Sequence, residues 1–270
     1  MKMKPGRRVL ALSAMLAAQA PNAAAAPPAS ACCPVLELRQ YVTYPGTRDT
    51  LIHLFEERFI ESQEAVGIKV VGQFRDVNDP DHFTWVRGFT GMEARRKALG
   101  DFYYGALWGA NRDAANATLY DNDNVLLLRP AAPGAGFGYD PGRRPALDAR
   151  APDSFIVAQI YYFKDQVTPD FTRFFDRDLM PMFERHGARV LARLVSEKSV
   201  NTFERLPVRE DVNVFVWFAG FPDRAAYDSY LGSLGQDARW RGEWFARLRK
   251  SLARPPELLM LAPTSRSLLR

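Results

Sequence analysis

The chain has 270 residues, of which 47% are hydrophobic and 25% charged, and that balance excludes wholesale disorder and fibrous repeats. A formal charge of +5 raises nucleic acid or a membrane surface as partners. The only two cysteines, Cys32 and Cys33, are adjacent, which excludes a disulfide framework and a cysteine-based zinc site.

Lys2, Lys4, Arg7 and Arg8 precede an uncharged, largely apolar run at 9–20, followed by small residues ending at Ala20 and again at 24–26. This layout predicts an export signal over 1–26, too short to persist as a membrane span, and so a periplasmic or secreted protein. Arg7-Arg8 fits a twin-arginine signal poorly, and Ala29-Ser30-Ala31-Cys32 fits a lipoprotein box poorly, so ordinary secretion without a lipid anchor is expected. The leader carries four basic residues and no acid precedes Glu37. Without it, 32 basic residues face 31 acidic ones and the nucleic-acid reading loses its support. Cys32 and Cys33 are read as two thiols on a flexible mature N-terminus, since a bond between neighbours strains the ring, with pairing to another chain as the alternative outside the cytoplasm.

Residues 35–43 alternate as a strand, and Tyr44-Pro45-Gly46 ends it. Residues 47–65 form an amphipathic helix, with Leu51, Leu54, Phe55 and Phe59 at helical spacing. Strands at 68–74 and 82–89 flank a turn at Asn78-Asp79-Pro80. Residues 92–119 are largely helical and 125–129 form a closing strand. Five prolines and four glycines within 129–152 make a linker. The pattern then repeats. An offset of 120 aligns Tyr41 with Tyr161, Phe55 with Phe175 and Gly67 with Gly187. An offset of 132 aligns Trp85 with Trp217, Gly88 with Gly220 and Trp108 with Trp240. The twelve extra residues fall around 196–211, as a lengthened hairpin loop.

Each copy therefore reads β-α-β-β-α-β, the ferredoxin-like unit, with both helices on one face of an antiparallel sheet. The predicted fold is α+β: two tandem ferredoxin-like repeats, at 34–129 and 153–263, joined by a linker at 130–152. The bare sheet faces pack on each other as a pseudo-dimeric α/β barrel, the alternative being that each repeat pairs with another chain.

Alternation puts Leu36 and Leu38 on one face of the first strand and Glu37, Arg39 and Tyr41 on the other. On the third strand, Val86 and Gly88 oppose Trp85, Arg87 and Phe89. If the apolar set meets the helices, the mixed set lines the barrel interior. By register Glu37 becomes Val157, Arg39 becomes Gln159 and Arg87 becomes Ala219, while Tyr41 and Trp85 persist as Tyr161 and Trp217. The aromatic frame is shared and the charges belong to one copy.

Glu37, Arg39 and Arg87 are thus the catalytic candidates: two guanidiniums to hold an anion and a carboxylate to accept a proton. The competing reading is a structural ion pair. Tyr41, Trp85, Gln159, Tyr161 and Trp217 are candidate ligand-binding residues, as are Arg112, Asp113 and Asn116. Trp108, Arg112 and Asn116 share a helical stripe. The favoured reading of Asp113 and Asn116 is that they tie down the irregular helix end before 121–124. His53, His82 and His186 lack metal-ligand spacing, so neither a metal nor any other cofactor is predicted. The basic, aromatic helix at 239–250 is expected to pack Trp240, Trp244 and Phe245 on the sheet.

Glu37-Leu38-Arg39-Gln40-Tyr41, Gly72-Gln73-Phe74-Arg75-Asp76 and the tract from Trp108 through Thr118 to 123–128 resemble the NIPSNAP family, a branch of the dimeric α/β barrels. The first repeat carries the match and the second is a divergent copy. The resemblance implies the ferredoxin-like fold and barrel pairing. It implies little chemistry, although related barrels include cofactor-free monooxygenases and haem-degrading enzymes. The expected function is binding of a small anionic or aromatic ligand in the barrel interior, with cofactor-independent oxygenation or isomerisation as the catalytic version. The alternative is a non-catalytic scaffold of the cell envelope. Neither nucleic acid nor a membrane span is expected, and homo-oligomerisation stays open.

Overall fold

The computed structural model describes Met1 and residues 32–270. The export signal and the Ala29–Ala31 part of the lipoprotein-like box lie outside the described residues. Strand β1 (Val35–Thr43) leads into helix α1 (Arg48–Leu54), which passes through a π-helical turn at Phe55–Phe59 into α2 (Ile60–Ala65). Then come β2 (Lys69–Asp76), β3 (His82–Phe89), α3 (Met92–Tyr103), α4 (Ala106–Asn116), a short β4 (Leu119–Asp121) and β5 (Val125–Pro130).

The second copy follows the same order: β6 (Phe155–Phe163), α5 (Pro169–Phe174), a π turn at Phe175–Leu179, α6 (Met180–Arg185), β7 (Arg189–Ser196) and β8 (Asn213–Phe221). It ends with α7 (Arg224–Leu234), a π turn at Trp240–Trp244, α8 (Phe245–Ser251) and β9 (Glu257–Pro263). The π turns at 55–59 and 175–179 are 120 residues apart, so the distortion belongs to the repeated unit. Gly67 and Gly187 follow α2 and α6 with φ of 92° and 109°, the left-handed conformation that glycine adopts without a Cβ clash.

Within the first repeat the strands lie in the order β5-β1-β3-β2, and in the second β9-β6-β8-β7. The two sheets also join at both edges. Phe74 of β2 pairs with Pro263 of β9, and Leu128 of β5 with Ser196 of β7. The result is one closed antiparallel barrel of eight strands, completed within this chain, with β4 appended to the end of β1. Its interior is apolar and filled by side chains. Leu36, Leu38, Val86 and Leu126 meet Ile156, Ala158, Val216 and Phe218 across it. An eight-stranded barrel leaves little more room than that.

The segment between the repeats is part of this packing. Phe137 is buried in the barrel core, its ring 5.1 Å from that of Phe218. Ala135 O accepts from Arg193 N at 2.8 Å, and the one helical turn in the segment is a 3-10 turn at Pro141–Arg143. Cys32 and Cys33 correct an expectation. They are bonded to each other and buried at 5% and 3% exposure, rather than free thiols on a flexible end. Cys32 N donates to Phe137 O at 2.8 Å, and Lys69 Nζ donates to Cys32 O at 3.0 Å. The pair lies against Gly88, where any Cβ would collide with Cys33 Sγ. The helix at 239–250 packs much as expected, except that Phe245 stays 44% exposed, its ring tilted against Trp240 at 5.3 Å, while Trp244 is buried.

Candidate functional site

The mixed face of β1 and β3 does not line the barrel interior. Glu37, Arg39, Tyr41, Trp85 and Arg87 point to the opposite side, into the layer between the first sheet and its helices, where Tyr41 and Trp85 pack with Phe55, Phe59 and Phe102. Gln159, Tyr161 and Trp217 do the same in the second repeat; Tyr161 and Trp217 sit in its aromatic core. The physical reason is closure of the barrel. Its narrow interior takes the apolar set, while the long charged side chains pair with one another and with Gln63 and Arg95 of the helices.

In that layer Glu37 is gripped by three arginines. Its Oε2 accepts from Arg39 Nη1 and Arg87 Nε, each at 2.7 Å, and its Oε1 accepts from Arg95 Nε at 2.6 Å. All four side chains are fully buried. Burial alone would raise the Glu37 carboxyl, but Arg87, Arg39 and Arg95 outweigh it and hold the group far below the usual carboxylate range. A carboxylate so committed is a counter-ion and a poor proton acceptor, which corrects the general-base role expected of Glu37.

Three guanidiniums around one carboxylate leave two positive charges in excess. The neighbouring groups are neutral. Tyr41 Oη accepts from Arg39 Nε at 2.7 Å, Gln63 Oε1 from Arg87 Nη1 at 3.2 Å, and Asn201 Oδ1 from Arg95 Nη1 at 2.9 Å. Burial pushes the Tyr41 phenol up, against the pull of Arg39, so it stays protonated. One nitrogen of each arginine, Nη2, is buried with no hydrogen-bond partner among the described residues. Aromatic faces supply part of the compensation. The Arg87 guanidinium lies 5.0 Å from the Trp85 ring centre, and that of Arg39 lies 5.6 Å from it.

Directly over this cluster is a cavity of about 200 Å³. Aromatic rings make its walls, among them Tyr41, Phe59, Trp85, Tyr103 and Trp108, with Gln63 beside them. Asn116, Asn122 and Arg205 add polar groups to the lining, Arg205 from the long loop between β7 and β8. Trp85 and Trp108 have buried indole N–H groups without acceptors among the described residues. Trp217 in the second repeat shares that orphan, so it is a trait of the unit; the orphaned nitrogens of Arg39, Arg87 and Arg95 have no counterpart there.

The second repeat shows what the unit looks like without a site. At the same offsets Gln63 becomes Phe183 and Arg95 becomes Tyr227, alongside the changes at Glu37, Arg39 and Arg87. Phe183 stacks on Trp217 at 4.9 Å and fills the space. The hydrogen bond between the paired strand residues also reverses. Tyr161 Oη donates to Gln159 Oε1 at 2.9 Å, whereas Tyr41 accepts from Arg39 and keeps its own proton available.

Of the residues expected from sequence, Glu37, Arg39, Tyr41, Trp85 and Arg87 come together here, and of these only Tyr41 and Trp85 reach the cavity wall, where Asn116 joins them. Arg112 and Asp113 do not: they are 55% and 92% exposed and pair with each other at 3.3 Å. Gln63, Arg95, Asn201 and Arg205 were missed. The first two had a signal in the repeat comparison, since both lose their polarity in the copy that loses Glu37.

No family model matches the chain, and no curated protein matches it in sequence. Solved structures match it in fold. An anthrone oxidase-like protein superposes with a TM-score of 0.53 at 14% identity, over 87% of this chain and 94% of its own. A protein named as a candidate monooxygenase, from Fusobacterium nucleatum subsp. nucleatum, gives 0.51 at 10% identity, over 86% and 93%. This chain is a ferredoxin-like α/β barrel closed within one polypeptide. An uncharacterized NIPSNAP domain protein from Burkholderia xenovorans aligns with 36% of this chain and 95% of its own length, at 14% identity and a TM-score of 0.34. At such identities the likeness speaks to architecture, and the chemistry has to come from the site itself. Among the described residues no helix is long and apolar enough to cross a membrane.

Proposed function

We propose that the protein binds a small, flat hydroxyaromatic or enolic ligand as its anion, in the aromatic cavity on the helix side of the first repeat. The observation that carries this reading is the buried charge excess. Two uncompensated guanidinium charges and three orphaned Nη2 donors lie behind the wall of a cavity whose other repeat-borne equivalent is filled. Buried charge without a counter-ion is costly, and an anion in the cavity would relieve it. Tyr41 offers its free O–H to the ligand, polarised by Arg39. Glu37 serves to fix the three arginines, so any proton leaves the ligand for solvent or another group.

The test uses 4-nitrophenol, whose phenolate absorbs at longer wavelength than the phenol. Binding should lower its apparent pKa by about one unit or more, the usual effect of a nearby opposite charge. An unshifted pKa for the bound phenol, or no saturable binding, would remove the reading. The names of the two fold neighbours make oxygenation of such an anion, without a bound cofactor, the first reaction to assay. On the sequence resemblance alone we place the chain with the NIPSNAP proteins, and on residues 1–26 alone we assign it an export signal.

A further inference from the structure

The loop between β7 and β8, residues 197–212, belongs to the second repeat yet covers the first repeat's cavity. It is a built element. Asn201 Oδ1 accepts from Phe203 N at 3.1 Å as well as from Arg95, and Asn201 Nδ2 donates to Leu206 O at 2.9 Å. Thr202 Oγ1 donates to the carbonyl of Met92 at 3.3 Å. Phe203 and Leu206 are buried in the first repeat's core. Between them the loop presents Arg205 at the cavity wall. Its guanidinium lies 5.4 Å from the Tyr104 ring centre, and no carboxylate among the described residues pairs with it. Asn116 and Asn122 add amide groups to the same cavity's lining.

The cavity thus draws positive charge from two sources: the buried arginines that contact Tyr41 and Trp85, and an exposed Arg205 on its wall. We propose that Arg205 is a specificity residue, supplied by the second repeat, that recognises a carboxylate on the ligand. The ligand class is then a hydroxyaryl carboxylic acid, with the hydroxyl toward Tyr41 and the acid toward Arg205. This rests on the cavity reading above and adds the second charge. Arginine suits the role because its planar fork meets a carboxylate with two hydrogen bonds.

The experiment is calorimetric titration of wild type, Arg205→Gln and Arg205→Lys with 4-hydroxybenzoate and 4-hydroxybenzamide, which differ in the charge at one end. Wild type should bind the acid roughly tenfold more tightly than the amide, a conservative figure for a charged hydrogen bond at a wet edge. Arg205→Gln should abolish that preference by weakening the acid more than the amide, and Arg205→Lys should restore part of it. Equal binding of acid and amide by wild type, or an acid preference that survives Arg205→Gln, overturns the role of Arg205 and leaves the cavity reading standing. Binding of neither compound, with no binding of 4-nitrophenol, overturns both.

Discussion

Replacing Glu37 by glutamine would remove the one negative charge among three buried guanidiniums. The side chain keeps its size, so the change isolates electrostatics. Three short charge-assisted bonds, of 2.6 to 2.7 Å, would be weakened together, and the buried excess would rise from two charges to three. Breaking a buried ion pair from one side costs about 3–5 kcal/mol. In a barrel of this size about 1 kcal/mol moves the midpoint by roughly 2–4 °C, so melting should fall by ~6–20 °C. Urea unfolding followed by circular dichroism gives the free energy directly. A second variant sharpens the logic. It carries the second repeat's residues at all five positions: Glu37→Val, Arg39→Gln, Gln63→Phe, Arg87→Ala and Arg95→Tyr. With the charges removed as a set, it should be more stable than Glu37→Gln alone despite its four further changes. A loss below about 1 kcal/mol for Glu37→Gln, or a five-fold variant weaker than the single one, would refute the account of Glu37 as the counter-ion of the cluster.

Acid should act through the same group. The Glu37 carboxyl is depressed in the fold, so its stabilisation is complete above its ordinary value of 4.5 and is lost as pH falls from there toward the folded value. Wild type should therefore lose up to about 1.4 kcal/mol per pH unit more than Glu37→Gln below that point, read from urea midpoints in acid buffers. Phe137→Ala would empty the space beside Phe218 in the barrel core and should cost about 3–5 kcal/mol, although Phe137 lies in a segment of loop composition. Cys32 and Cys33 should give an intact mass lower by two hydrogens than the reduced protein. They should resist alkylation until the chain is both reduced and unfolded, since both are buried.

Much of the fold was legible because hydrophobic spacing and turn residues act locally. The bounds expected for β1, β3 and β6 are those observed, and the offset of 120 carries the limits of α1, its π turn and α2 onto the second copy to within a residue. The site was half legible. Alternation tells which residues share a face, and it grouped Glu37, Arg39, Tyr41, Trp85 and Arg87 correctly. It does not tell which face looks inward. That depends on closure of the barrel by pairing between β2 and β9 and between β5 and β7, which no local pattern announces. Arg95 sits on a helix and is brought to Glu37 across 58 residues, so spacing could not reveal it. Asn201 and Arg205 lie on the twelve-residue excess of the second copy, where there is no counterpart for comparison. The break between α3 and α4 at Tyr104-Gly105, within a stretch expected to be largely helical, follows from glycine and a turn rather than from any loss of apolar residues.

The peptide link between the repeats carries a consequence for symmetry. In a barrel built from two identical chains, every substitution is made twice, and a residue that fills one pocket fills both. A fused barrel is released from that bookkeeping. One half can keep Phe183 against Trp217 as a solid, inert buttress, while the other keeps Gln63 beside an open space. An insertion in the inert half can also reach across to the open half without a mirror image blocking its way, as the Asn201–Arg209 stretch does. Division of labour within one barrel, with one half structural and the other receptive, is available to this chain because its two halves are inherited as one.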